Sequence, residues 1–86
     1  MTRGEAEFTG RIHSLTLPGA GAHPTLRVQV ENENGGVELV FVGYRSLPGF
    51  QIGRTITARG RMAPGARMYN PSYWLKAETH ERPAVR

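Results

Sequence analysis

The chain has 86 residues, enough for one domain but too few for a second domain or a deep catalytic cleft. It contains no cysteine, which excludes disulfides and thiolate metal sites, and no aspartate, which removes the usual triad orienter and a common Mg²⁺ ligand. The formal charge of +4 is spread unevenly: residues 1–38 carry three Arg and five Glu, whereas Leu39 to Ala77 carry Arg45, Arg54, Arg59, Arg61, Arg67 and Lys76 and no acid.

A one-sided basic block points to a polyanionic partner. GC-rich codons would also give a chain rich in Arg, Gly, Ala and Pro, but they do not explain an acid-free run of this length. No apolar run approaches the ~20 residues of a membrane span. Residues 1–7 lack the apolar stretch of a signal peptide. The expectation is a cytoplasmic protein, one domain over residues 1–86, with a folded part of about 7–77 and loose ends at 1–6 and 78–86.

From Phe8, large or glycine positions (Phe8, Gly10, Ile12) alternate with polar ones (Thr9, Arg11, His13), which predicts a half-buried strand. Gly10 in mid-strand marks a bend or a close backbone approach. Leu17 to Pro24 is a loop by composition. Thr25–Glu31 alternates cleanly, with Leu26, Val28 and Val30 inward and Arg27, Gln29 and Glu31 outward. Asn32 to Gly36 signals a hairpin turn. Val37–Val42 follows, with Val37, Leu39 and Phe41 on one face and Glu38, Val40 and Val42 on the other. Two aliphatics on an outer face mean either that the face is covered or that it binds something.

Gly43 to Gly53 is broken by Pro48-Gly49 and holds at most a turn at Tyr44–Leu47. Leu47, Phe50 and Ile52 are candidates to plug an open barrel end. Thr55 to Met62 alternates again, with Ile56, Ala58, Gly60 and Met62 inward and Thr57, Arg59 and Arg61 outward. Met68 to Ala77 is a final strand interrupted at Asn70-Pro71, where proline cannot donate to a ladder. The fold class is all-β. Five short strands with a gap between the third and fourth fit a five-stranded OB-fold Greek-key barrel with little or no helix, ahead of an SH3-like barrel.

Neither catalysis nor a metal is expected. His13, His23 and His80 are far apart in sequence and no carboxylate cluster accompanies them. The serines lack nucleophile-elbow glycines, and the glycine pairs lack the Lys-Ser/Thr of a phosphate loop. No cofactor is implied.

The pattern Gly10-x-Ile12, Leu26-x-Val28-x-Val30, Gly36-Val37-x-Leu39-x-Phe41-Val42, Pro48-Gly49, Gly53, Gly60-Arg61 and Met68-x-Asn70-Pro71-x-Tyr73 resembles bacterial OB-fold nucleic-acid-binding domains. It is similar in particular to the OB wedge domain of RecG-type helicases and to small stand-alone OB proteins. The resemblance spans roughly residues 7–77. There are no helicase motor motifs, and the loops at 18–24 and 63–67 are short and lack aromatics. The resemblance therefore implies a barrel and a nucleic-acid partner, and no unwinding.

In such domains the face of strands two and three binds single strands through a cationic groove and stacked aromatics. Carried onto this chain, the candidate binding residues are Arg27, Gln29, Tyr44, Arg45, Arg59, Arg61, Arg67, Tyr69 and Trp74, beside Glu38, Val40 and Val42. Arg59 and Arg61, two apart on one strand, form a candidate phosphate track, because guanidinium groups offer planar paired donors. Tyr73, Phe8, Phe41 and Phe50 are expected to pack. The expected function is low-specificity binding of single-stranded DNA or RNA, with weak-to-moderate affinity and steep salt dependence. The alternatives are a protein-interaction or oligomerisation module, supported by Val40 and Val42, and a small-ligand binder.

Overall fold

The computed structural model describes residues 5–21 and 23–77; most of the expected loose ends lie outside the described residues. Six strands follow in order: β1 (Glu5–Thr16), β2 (Thr25–Asn32), β3 (Gly35–Val42), β4 (Thr55–Arg61), β5 (Arg67–Tyr69) and β6 (Ser72–Leu75). Among the described residues there is no helix, and so none that is long and apolar enough to cross a membrane. All six strands belong to one sheet with the order β5-β3-β2-β1-β4-β6.

β1 starts at Glu5, inside the stretch expected to be loose, because Glu5 and Ala6 pair with Arg61 and Gly60 of β4. The strand serves two partners. Glu5–Arg11 registers with β4, and Arg11–Thr16 registers with β2, with a ladder irregularity between Ile12 and Ser14. The hand-over falls beside Gly10. A Cβ on Gly10 would lie 2.5 Å from the Glu31 carbonyl oxygen, closer than any side chain tolerates. Only glycine lets the two backbones meet there, so of the two expectations at this residue it is the close backbone approach that the contacts show.

β2 and β3 form the hairpin. The turn is closed by the Asn32–Gly35 pair, and the Asn34 N–H donates to Asn32 Oδ1 at 2.7 Å. The inward rows are Leu26, Val28 and Val30 on β2, and Val37, Leu39 and Phe41 on β3. With Ile12, Ile56, Ala58 and Met68 they make the core. Phe41, Phe50 and Tyr73 meet edge to face at centroid distances of 5.0–5.6 Å, an arrangement that suits the ring quadrupoles. Phe8, Leu47 and Tyr73 pack against this core as partly buried residues.

Two inward assignments fail. Ile52 is 68% exposed, because the Gly53 N–H donates to the Ile12 carbonyl and leaves Ile52 on the tip of the turn. Met62 is 38% exposed, because β4 ends at Arg61 and alternation no longer governs the next residue.

The expected single last strand is two strands. β5 runs parallel to β3, and β6 runs antiparallel to β4. Asn70, between them, has a φ of 48°, a left-handed conformation that asparagine tolerates better than most residues. Its N–H donates to the Val40 carbonyl at 2.8 Å, and its Oδ1 accepts the Val42 N–H at 2.9 Å. The side chain thus continues the ladder to β3 for one more position. Pro71 then has no N–H to offer, and the chain turns to β4. β5 and β6 stand at opposite ends of the strand order and do not pair with each other. In place of a closed five-stranded barrel there is a six-stranded open sheet whose end strands are consecutive in the chain.

Candidate nucleic-acid interface

Strand alternation sets the outer face of β2, β3 and β5. Register places Gln29, Glu38 and Arg67 in one row across the three strands, and Arg27, Val40 and Tyr69 in the next. Glu38 lies between two arginines. Arg67 Nε donates to its Oε1 at 3.0 Å, and Arg27 Nη1 stands 3.7 Å from its Oε2. The Glu38 side chain is only 16% exposed, whereas those of Arg27 and Arg67 remain nearly half exposed. The trio therefore carries a net charge of one. Tyr69 first, and Glu38 second, raise the Arg67 pKa above its ordinary value, so this guanidinium stays charged; the closed hydrogen bond is the one to Glu38.

Val40 and Val42 behave differently. Val40, flanked in register by Arg27 and Tyr69, is 1% exposed, whereas Val42 is half exposed. Val42 borders a cleft of about 350 Å³ lined also by Phe41, Tyr44, Leu47, Asn70, Pro71 and Tyr73. The cleft sits where the last strand breaks, at Asn70-Pro71. Tyr44 is about half exposed and meets Phe41 edge-on at 6.5 Å. Tyr69, next to Asn70 in the chain, is exposed to a similar degree. Two tyrosine rings stand at or beside this cleft, with guanidinium groups on the same sheet face; aromatic rings and cations are the components with which single-strand grooves are built.

No family model, curated protein or solved structure matches this chain. The geometry alone must carry the functional reading.

The remaining candidate residues are dispersed. Arg45 donates from Nη1 to the Gly19 carbonyl (3.3 Å) and from Nη2 to the Gly21 carbonyl (2.9 Å), tying the loop after β1 to the end of β3. Arg59 and Arg61 do share the outer face of β4, but their registered neighbours on β1 are Glu7 and Glu5. Opposite charges in register attract across strands, so the proposed phosphate track runs beside two carboxylates. Trp74 is half exposed and registers with Thr57, whose hydroxyl lies 2.8 Å from that of Thr9. The structure thus gathers Arg27, Gln29, Arg67 and Tyr69 on the β2–β3–β5 face, with Tyr44 at the adjoining cleft. It puts Arg59, Arg61 and Trp74 on the β1–β4–β6 part of the sheet.

Sequence reasoning missed Glu38 as the shared partner of Arg27 and Arg67, and missed Asn70 as a wall of the cleft. The outward Val42 and the Asn70-Pro71 break were the visible signals. Among the described residues no group of three His, Asp or Glu side chains is arranged to hold a metal ion.

Proposed function

We propose that the protein is a small OB-type domain of the cytoplasm that binds single-stranded DNA or RNA with little sequence preference and without catalysis. The topology supports the fold half of this reading. A β1–β2–β3 meander, β4 beside β1, and a broken last strand parallel to β3 and antiparallel to β4 follow the strand connectivity of a partly open Greek-key barrel when β5 and β6 count as one strand, which supports that reading of the open sheet. In such barrels the face of strands two and three takes the ligand.

The observation that carries the binding half is the pair Tyr44 and Tyr69. Both are about half exposed, one lining the Val42 cleft and the other beside it, with Arg27 and Arg67 on the same face. Each stacked base contributes about 1–3 kcal/mol. Because Glu38 offsets one of the two arginines, the electrostatic share is smaller than the basic block of sequence implies. The salt dependence on this face should correspond to about one or two phosphate contacts, a slope of roughly −0.7 to −1.4 in log–log form for a single strand.

The test is a fluorescence-anisotropy titration of labelled dT and rU oligomers at low and near-physiological salt. Tyr44→Ala and Tyr69→Ala should each weaken binding by roughly 5- to 150-fold. Reversing Arg59 and Arg61 together tests the other face: a large loss there would move the site to β4. The half-exposed Val42 at the same cleft favours a second reading, the docking of a protein segment. Absence of binding to either oligomer at low salt would reject the first reading in its favour.

A further inference from the structure

A second pocket, of about 460 Å³, shares no lining residue with the Val42 cleft. It lies between β1, the segment leading into β4, and the chain just past β6. Its charged lining residues are Arg11, Arg54 and Lys76, and no carboxylate lines it. Arg11 also borders a neighbouring hollow that holds Glu31, its registered partner on β2, whose carboxylate lies 3.7 Å from His13 Nδ1.

Arg54 is fixed in place. Its Nε donates to the Lys76 carbonyl and its Nη1 to the Gly49 carbonyl, both at 3.1 Å. Nη2 has no partner among the described residues. The surrounding backbone is tied as well: Ile12 N–H to the Arg54 carbonyl (2.9 Å), Gly53 N–H to the Ile12 carbonyl (2.8 Å) and Lys76 N–H to the Thr55 carbonyl (2.9 Å). Three elements thus bring three cations to one hollow whose own lining has no carboxylate; Arg11 alone has an acid in register, Glu31 on β2. Like charges held together repel, and a small multivalent anion relieves that repulsion. A guanidinium already oriented by carbonyls loses little freedom when it takes up a phosphate oxygen.

We propose that this pocket binds a phosphate group of two or more negative charges, held by Arg11, Arg54 and Lys76. The proposal is independent of the nucleic-acid reading above. The group has two possible sources, a free phosphate compound or the terminal phosphate of a strand.

The experiment is an amide ¹⁵N–¹H NMR titration of the full chain with sodium pyrophosphate at low ionic strength, with sodium chloride of matched ionic strength as control. Saturable shifts at Gly53, Thr55, Lys76 and Ala77 are expected from pyrophosphate and not from chloride. Lys76→Glu and Arg11→Glu, both exposed positions, should each raise the dissociation constant at least about tenfold while the dispersion of the spectrum is retained. Arg54 is left intact because it braces two carbonyls. Shifts that do not saturate, that spread equally to Arg59 and Arg61, or that survive both variants would overturn the proposal. Binding of 5′-phosphorylated against 5′-hydroxyl dT oligomers then separates the sources. A phosphate-dependent gain lost in Lys76→Glu assigns the site to strand ends. Pyrophosphate binding with no such gain assigns it to free phosphate compounds.

Discussion

Replacing Gly10 by alanine isolates the close approach of β1 to β2. The added methyl would sit 2.5 Å from the Glu31 carbonyl oxygen, 2.9 Å from its carbon and 3.1 Å from Val30 Cγ1. Ordinary contact begins near 3.4 Å, so the strands must separate by about 0.9 Å at the Arg11–Glu31 pair, where β1 changes partners. Two of the three obstacles are backbone, which cannot swing away. The φ of Gly10 is not positive, so backbone strain adds nothing and the effect is steric. Overpacking of this kind costs about 1–3 kcal/mol, against a total stability of roughly 4–13 kcal/mol for a domain of this length. At about 4–8 °C per kcal/mol, Tm should fall by roughly 5–25 °C. The assay is thermal unfolding followed by circular dichroism, with Gly19→Ala as control. A Cβ on Gly19 meets nothing within 4 Å, so that variant should match the parent or gain up to about 1 kcal/mol from a stiffer unfolded chain. A Gly10→Ala protein melting within a degree or two of the parent would refute the steric account of the close approach.

Three further outcomes are expected. Asn70→Ala removes the acceptor of the Val42 N–H and puts alanine in a left-handed conformation, so urea denaturation should show a loss of about 1–3 kcal/mol, with Asn70→Gly losing less. Glu38→Gln frees Arg27 and Arg67 from a carboxylate that is largely covered, while both arginines are nearly half exposed and stay screened by water. Stability should change by no more than about 1 kcal/mol, whereas oligonucleotide binding should tighten and its salt slope steepen by up to about 0.7; an unchanged slope in the anisotropy titration would place the contacts elsewhere. Arg54→Met keeps the aliphatic stem but leaves the Gly49 and Lys76 carbonyls without the fork, and should cost about 1–3 kcal/mol by chemical denaturation.

The strands were legible where one face is buried and the other is wet. Leu26, Val28 and Val30 alternate with Arg27, Gln29 and Glu31, and the same alternation appears as buried positions against exposed ones, with Gln29 half-buried. Gly10 was legible because a glycine inside a strand pattern has few physical reasons to be there. The partner switch at Asn70-Pro71 was visible as a break, but which strand each half joins depends on sheet geometry that no local pattern encodes. Charge was the least legible property. Leu39 to Ala77 is acid-free along the chain, yet Glu38, one residue before that run, stands between Arg27 and Arg67, and Glu5 and Glu7 register with Arg61 and Arg59. Folding restored the acids to the cations because strand pairing, antiparallel for Glu5 and Glu7 and parallel between Glu38 and Arg67, joins residues far apart in sequence.

The broken last strand also bears on how readily other chains can add to the sheet. An open sheet presents two free edges, and free edges invite other chains to add strands and aggregate. Here the two edge strands are three and four residues long, and they are joined through a left-handed asparagine and a proline. Neither edge offers an incoming strand a long, flat run of free N–H and C=O groups. Removing the kink, for example by Pro71→Val, would lengthen the template and should show first as aggregation on storage, ahead of any loss in melting temperature.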